Sequence, residues 1–342
     1  FKLGSFVSSY VRLEWWGGVS VDQDLRGKTV LITGATTGLG LHAAKAFYRR
    51  GATLLLTCRD HVRGRNAVET VQACTGNDKT DDENEGRIHL FELELTDYKS
   101  VLRFAQEVKD TVSRIDILVC NAGVMGLPFE LSIDRVEMHF HSNHLGHFVL
   151  VNQLLPLLVA APAARIIIIT SGLYKRAEAI PPVRQLMAEL PWDYQSKKAY
   201  AISKLANCLH ARALAVRLDL MFPTVSVYAV RPGFVRGTEL GRETHWLLRK
   251  LAAPLIWLVS RSLDKGITGY MHTATAPRDE LTNGGLFFDR REEDYEDTVT
   301  DEKATALWGT SLELEELIVR RRETLTEEER ALFQQGRNRL PS

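Results

Sequence analysis

Between residues 28 and 230 the chain alternates short apolar runs with longer stretches of helical periodicity, and this alternation narrows the fold more than any other feature. The runs are Thr29–Thr33, Thr53–Cys58, Arg87–Glu92, Ile115–Cys120, Arg165–Thr170 and Thr224–Val230. Most carry β-branched residues or leucine on both parities, the pattern of parallel strands covered on both faces. Helical spacing fills the intervals near 39–50, 61–74, 98–112, 130–159 and 195–218. Strand–helix repetition of this kind predicts an α/β fold, a doubly wound parallel sheet of about seven strands with helices on both faces.

A glycine turn lies where such a sheet binds a ligand. Thr33-Gly34-Ala35-Thr36-Thr37-Gly38-Leu39-Gly40 follows the first strand directly and opens the first helix. Gly34 suits a tight turn, Gly38 lets a pyrophosphate approach the backbone, and Gly40 permits close helix–sheet packing. The helix N-terminus then offers N–H groups and positive dipole to phosphates. The combination marks a Rossmann-type dinucleotide site. At the end of the second strand an acidic residue selects NAD, through the ribose hydroxyls. Here the strand ends Thr57-Cys58-Arg59, and a guanidinium favours the 2′-phosphate of NADP(H). Asp60 follows at once and is the competing ribose ligand; Arg63 and Arg65 either add to the positive field or are solvated.

Bulk properties exclude other classes. The 342 residues hold 43 Lys plus Arg against 43 Asp plus Glu, so the cation surplus that nucleic-acid binding requires is missing. Hydrophobic residues make up 45% of the chain, enough for a sizeable core. Cys58, Cys74, Cys120 and Cys208 form no CxxC pair, and they read as small hydrophobes in a reducing compartment rather than as disulfides or metal ligands. His139, His141, His144 and His147 crowd one stretch without an acidic or cysteine ligand of metal-site spacing, so no metal is expected.

Three segments flank or interrupt the alternation. Residues 1–25 are an aromatic lead-in with Leu3, Phe6, Val7, Tyr10 and Val11 at helical spacing, suited to docking on protein or at a membrane interface. Residues 76–86 form an acidic, solvated insertion. A charged C-terminal extension covers 291–342, helical again from about 302, with Thr326 and Glu329 spaced as a capping box. The Rossmann-type domain itself is assigned to 26–290. Within it, about 237–261 is an apolar segment, a lid or an ordinary core helix, whose core, Trp246 to Val259, is broken by Arg249-Lys250 and Pro254 and does not read as a membrane span. Because the chain begins at Phe1 rather than at a methionine, processing or an upstream piece is expected.

Further motifs follow in order. They are Cys120-Asn121-Ala122-Gly123 after the fourth strand, Asn143-His144-Leu145-Gly146-His147 in a helix, and Thr170-Ser171 closing the fifth strand. Tyr200-Ala201-Ile202-Ser203-Lys204 then sets a phenol and an ammonium one helical turn apart, and Arg231-Pro232-Gly233 follows the sixth strand. A tyrosine titrating near ~10 needs nearby positive charge to exchange protons around neutrality.

Taken together over about residues 26–290, these motifs resemble the short-chain dehydrogenase/reductase family. Leu56-Thr57-Cys58-Arg59-Asp60 and Asn143-His144-Leu145-Gly146-His147-Phe148 look like its retinol-dehydrogenase-like branch. The resemblance implies a catalytic set of Asn143, Ser171, Tyr200 and Lys204. Tyr200 is then the general acid/base, Lys204 binds the nicotinamide ribose and lowers the tyrosine's pKa, Ser171 holds the substrate oxygen, and Asn143 holds a relay water. It implies a cofactor site of Gly34, Thr36, Thr37, Gly38, Leu39, Gly40 and Arg59, with Leu95 over the adenine and Asn121, Ala122 and Gly123 on the adenosine side. Tyr200, Lys204, Pro232, Gly233, Val235 and Thr238 complete it at the nicotinamide. Three positions depart from the family pattern: Glu94 replaces its Asp, Cys120 replaces its first Asn, and Gly237 stands as an extra residue before Thr238.

The expected activity is interconversion of an alcohol and a carbonyl on a lipophilic substrate of retinoid, steroid or fatty-aldehyde type, using NADP(H). The rival reading is a catalytically silent or weakly active nucleotide-binding accessory subunit of a larger, membrane-bound complex. The setting expected is intracellular and membrane-associated, at the endoplasmic reticulum or a mitochondrion. Peripheral membrane contact, self-association or a larger assembly are assigned to the lead-in and the C-terminal extension.

Overall fold

The computed structural model describes residues 23–75, 87–188, 194–235 and 260–324. The lead-in up to residue 22, the acidic insertion, Gly237, Thr238, the apolar segment up to 259 and the Thr326–Glu329 capping box lie outside the described residues.

Six parallel strands appear where the apolar runs predict them: β1 (Thr29–Ile32), β2 (Thr53–Cys58), β3 (Ile88–Glu92), β4 (Ile117–Cys120), β5 (Ala164–Ile169) and β6 (Val225–Val230). Two more short ones follow, β7 (Leu286–Phe288) and β8 (Arg291–Glu293). The sheet order is β3-β2-β1-β4-β5-β6-β7-β8, with only the β7–β8 pair antiparallel. Order reverses between β1 and β4, so the crevice above their C-terminal ends is the position where such sheets take ligands. The expected boundary at 290 falls inside the β7–β8 hairpin, so strand pairing carries the sheet past it.

Helices cover both faces: α1 (Gly38–Tyr48), α2 (His61–Gln72), α3 (Tyr98–Thr111), α4 (Gly146–Val159), α5 (Ser196–Met221), α6 (Thr268–Thr275) and α7 (Asp301–Thr324). Alternation along each strand divides the core in two. Leu31, Leu118, Ile166 and Ile168 join Phe104 of α3, Phe148 of α4, Leu205 and Leu209 of α5 and Leu314 of α7. Val30, Ile32, Val119 and Ile167 join Phe47 of α1 and Tyr270 of α6 on the other face. Truncating a fully buried member such as Phe148 to alanine costs about 3–5 kcal/mol by precedent. Leu307, Ser311, Leu314 and Ile318 form the buried stripe of α7, which therefore packs as part of the core.

The helix expected over 130–159 starts late. A turn holds Ser132 to Arg135, with Arg135 at φ 64, and Glu137 then caps a short helical turn by accepting from the backbone N–H groups of His139 and Phe140. A π-helical turn, His141–Leu145, joins that piece to α4, with the Gly146 N–H reaching back to the His141 carbonyl. Among the described residues no helix is long and apolar enough to cross a membrane.

Candidate active site

The glycine turn is built by close backbone approach. Gly34 has φ +65, and a Cβ on Gly40 would lie 2.3 Å from the Gly34 carbonyl oxygen and 2.6 Å from Asn121 Nδ2. Any larger residue at 40 therefore pries the helix off the turn. Asn121 locks the arrangement, donating from Nδ2 to the carbonyls of Thr33 (2.8 Å) and Gly34 (3.2 Å) while accepting from Tyr270 at 3.0 Å. Its side chain thus serves the turn itself. The first turn of α1 carries no acidic residue, so its N-terminus keeps its positive field. Thr36, Thr37 and Gly38 line that end with partial exposure, and Leu39 turns inward to meet Val235 across Gly266.

Arg59 stands exposed just past the end of β2, with Glu94 Oε2 3.9 Å away. An ion pair that long and wet holds a side chain weakly. Asp60 caps α2 instead: its Oδ1 accepts from the N–H groups of Val62 (2.7 Å) and Arg63 (3.1 Å), which holds its carboxyl below the usual range. Glu94, the departure noted above, accepts from both the N–H and the hydroxyl of Thr96. Leu95 is buried, and its carbonyl would lie 2.3 Å from a Cβ on Gly146, so that glycine lets α4 sit against the loop. A phosphate-bearing dinucleotide fits this donor set: glycine backbone, an uncompensated helix N-terminus and an accessible guanidinium.

Asn143, Ser171, Tyr200 and Lys204 converge on the other side of the crevice. Ser171 lies beside the Tyr200 phenol, where its side chain favours the ionised tyrosine. Lys204 Nζ stands 5.8 Å from the centroid of the Tyr200 ring and donates to the Ile169 carbonyl at 3.0 Å. Asn143 fastens the loop after β4, accepting from the Val124 N–H at 2.7 Å and donating to the Val124 carbonyl at 3.0 Å. It also donates to Ser203 Oγ at 2.8 Å, and Ser203 donates to the Tyr200 carbonyl at 2.8 Å. A Cβ on Gly123 would lie 3.0 Å from Asn143 Oδ1 and 3.5 Å from Lys204 Nζ, so the glycine clears the space between them.

Electrostatics here differ from the expectation that Lys204 lowers the tyrosine. Burial pushes Tyr200 up to about 12, opposed by the Ser171 side chain, and brings Lys204 down to about 8. The ammonium is turned toward the Ile169 carbonyl, so desolvation outweighs attraction at the phenol. Pro232 and Gly233 form the far wall. Gly233 has φ +78, and Arg261 donates to the Pro232 carbonyl at 3.2 Å while stacking on Phe288.

The four histidines serve separate partners. His139 bonds Glu137 at 2.8 Å, His141 bonds Ser132 at 2.7 Å, His144 bonds Ser311 at 2.8 Å, and His147 bonds Thr33 at 2.9 Å. All four cysteines are free thiols. The sequence assigns no such contacts to Thr33, Ser203 and His147, nor to the Glu137–His139–Tyr194 cluster beside Tyr200. Only helical offsets from motif residues, such as Ser203 three after Tyr200, hinted at them.

Residues 28–180 match the family model for short chain dehydrogenases. Retinol dehydrogenase 14 of Mus musculus is 39% identical, covering 84% of this chain and 85% of that protein. Retinol dehydrogenase 12 of Mus musculus is 34% identical over 89% and 92% of the two chains. A crystal structure of an uncharacterized protein from Mycobacterium paratuberculosis is 28% identical, with a TM-score of 0.66, covering 87% of this chain and 97% of its own.

Proposed function

The chain belongs to the short-chain dehydrogenase/reductase family, in its retinol-dehydrogenase-like branch, and from that premise we propose that it interconverts an alcohol and a carbonyl on a lipophilic substrate with NADP(H). The observation that carries the reading is the Tyr200 phenol beside Ser171 past the C-terminal end of β5, with Lys204 Nζ 5.8 Å from its ring centroid and Asn143 linked to its backbone through Ser203. When bound, NADP(H) supplies the hydride carrier. Tyr200 moves the proton at the substrate oxygen, which Ser171 holds in place by its hydroxyl. Lys204 gives positive charge beneath the phenol and a donor for a ribose hydroxyl. Asn143 fixes the loop from Val124 and, through Ser203, the backbone at Tyr200.

The preference for NADP(H) rests on Arg59 being exposed at the strand end while Asp60 is engaged as a helix cap. A lipophilic substrate, of retinoid, steroid or fatty-aldehyde type, is supported by the names of the relatives and by the apolar run Trp246 to Val259. The test is oxidation of NADPH and of NADH by the full chain with retinaldehyde, a steroid ketone and a long-chain fatty aldehyde. Turnover that favours NADPH on at least one of these is expected. Preference for NADH, or turnover confined to small polar carbonyls, would overturn the reading.

A further inference from the structure

His147 takes no part in the steps above, yet it is enclosed at 2% exposure and both of its ring nitrogens have partners. Nδ1 lies 3.2 Å from the carbonyl oxygen of Asn143. A carbonyl only accepts, so the ring proton sits on Nδ1. Nε2 is then the bare nitrogen and accepts from the Thr33 hydroxyl at 2.9 Å. Thr33 Oγ1 itself accepts from the N–H groups of Asn121 (2.9 Å) and Ala122 (3.0 Å), which occupies both its lone pairs and leaves its proton to give. Its other acceptor, the Val119 carbonyl, is farther away at 3.4 Å. The tautomer is thus fixed from both ends.

We propose that His147, as its Nδ1–H tautomer, is the positioning residue that ties the cofactor turn at Thr33–Gly34 to the backbone of Asn143. The link sits where the chain departs from α-helix. In the π turn His141–Leu145 the backbone is widened, and the Asn143 carbonyl takes a side chain as donor. From Asn143 the contacts run on through Ser203 to Tyr200, so one chain of hydrogen bonds sets the cofactor cradle and the proton donor at a fixed spacing. Burial holds the imidazole down to about 4, which keeps the ring neutral and the polarity of the chain constant. The kinetic consequence rests on the dehydrogenase reading; the tautomer does not.

Two measurements test it. In the full chain labelled with [15N]histidine, with His147→Gln to assign the signal, His147 is expected to show a protonated Nδ1 and an unprotonated, hydrogen-bonded Nε2. An Nε2–H tautomer overturns the proposal whatever the activity. Kinetically, His147→Leu is expected to lower kcat by about tenfold or more, and His147→Gln, which keeps a donor and an acceptor, to recover most of it. Thr33→Val breaks the same link, so the double variant Thr33→Val/His147→Leu is expected to be no slower than the worse single one. A kcat within about twofold of wild type for His147→Leu, or losses that multiply in the double variant, would overturn it. Should His147→Leu fail to fold, the Gln and Thr33→Val variants and the tautomer carry the decision. A wild-type chain without turnover would count against the dehydrogenase reading, while the tautomer would still decide the link.

Discussion

Lys204 lies one helical turn beyond Tyr200, but its ammonium donates to the Ile169 carbonyl at 3.0 Å and stays 5.8 Å from the centroid of the phenol ring. The pair is therefore held by the end of β5 as much as by α5. Burial then works on the two groups in opposite senses, raising Tyr200 to about 12 and lowering Lys204 to about 8.

A pH profile follows from those directions. Carbonyl reduction needs a protonated tyrosine and a charged lysine. Tyr200 keeps its proton throughout the neutral range, so the first group lost on raising the pH is the Lys204 charge. The kcat/KM of NADPH-dependent reduction is expected to turn down near pH 8, and Lys204→Met to lose about 10²-fold or more of activity together with the downturn. A profile flat beyond pH 9 would contradict this, being about a unit past the value given for the lysine.

Arg59 offers a direct reading of cofactor choice. Its guanidinium is exposed and only loosely paired with Glu94. Arg59→Asp is expected to weaken NADPH binding about 10- to 100-fold, the worth of a charge-assisted contact, and to leave NADH binding equal or improved. Equal losses for both cofactors, measured by fluorescence titration, would remove Arg59 from the phosphate site.

Gly40→Ala places a methyl group where the Gly34 carbonyl already sits at 2.3 Å. Neither backbone oxygen nor the Asn121 amide can step aside cheaply. The substitution is expected to cost about 1–3 kcal/mol of stability by chemical denaturation and to reduce cofactor affinity well beyond any loss at Gly309, an open position on α7. A fully stable Gly40→Ala protein with unchanged affinity would be inconsistent with the turn described.

Buried histidines make the fold acid-sensitive. His141 and His147 are held down to about 4 and His210 to about 3, all by burial, against an ordinary value of 6.5. The unfolded chain takes up protons below about 6.5 that the folded chain refuses, so stability falls as the pH drops from there toward 4. Each such group contributes up to about 1.4 kcal/mol per pH unit. Neither ring nitrogen of His210 has a partner among the described residues, and its ring packs on Phe148 and Trp308. His210→Phe is expected to match or exceed wild type in urea at pH 7 and to lose less between pH 6.5 and 5. A steeper loss would contradict the assignment.

Much of this was legible in the chain because the signal was periodic. Val30, Ile32 and Leu31 alternate between the two cores as buried parallel strands require, and Gly34, Gly38 and Gly40 stand between a strand and a helix. What escaped was set by contacts distant in sequence. The charged run Arg291–Glu293 becomes a strand because Leu286–Phe288 offers it an edge. The bond between Thr33 and His147, just past the π turn at His141–Leu145, joins residues 114 apart in the chain. The order of Asn143, Ser171, Tyr200 and Lys204 was readable, whereas the turning of Lys204 toward Ile169 came only with three dimensions.

The central claim, that Tyr200 moves the proton in an NADP(H)-dependent reaction, is tested most directly by comparing Tyr200→Phe with wild type in NADPH oxidation on the best lipophilic carbonyl. The phenyl ring keeps the packing and removes only the hydroxyl beside Ser171. The variant is expected to bind NADPH as wild type does and to lose about 10²- to 10⁴-fold in kcat. A kcat within a few fold of wild type, with the cofactor bound, would contradict the account.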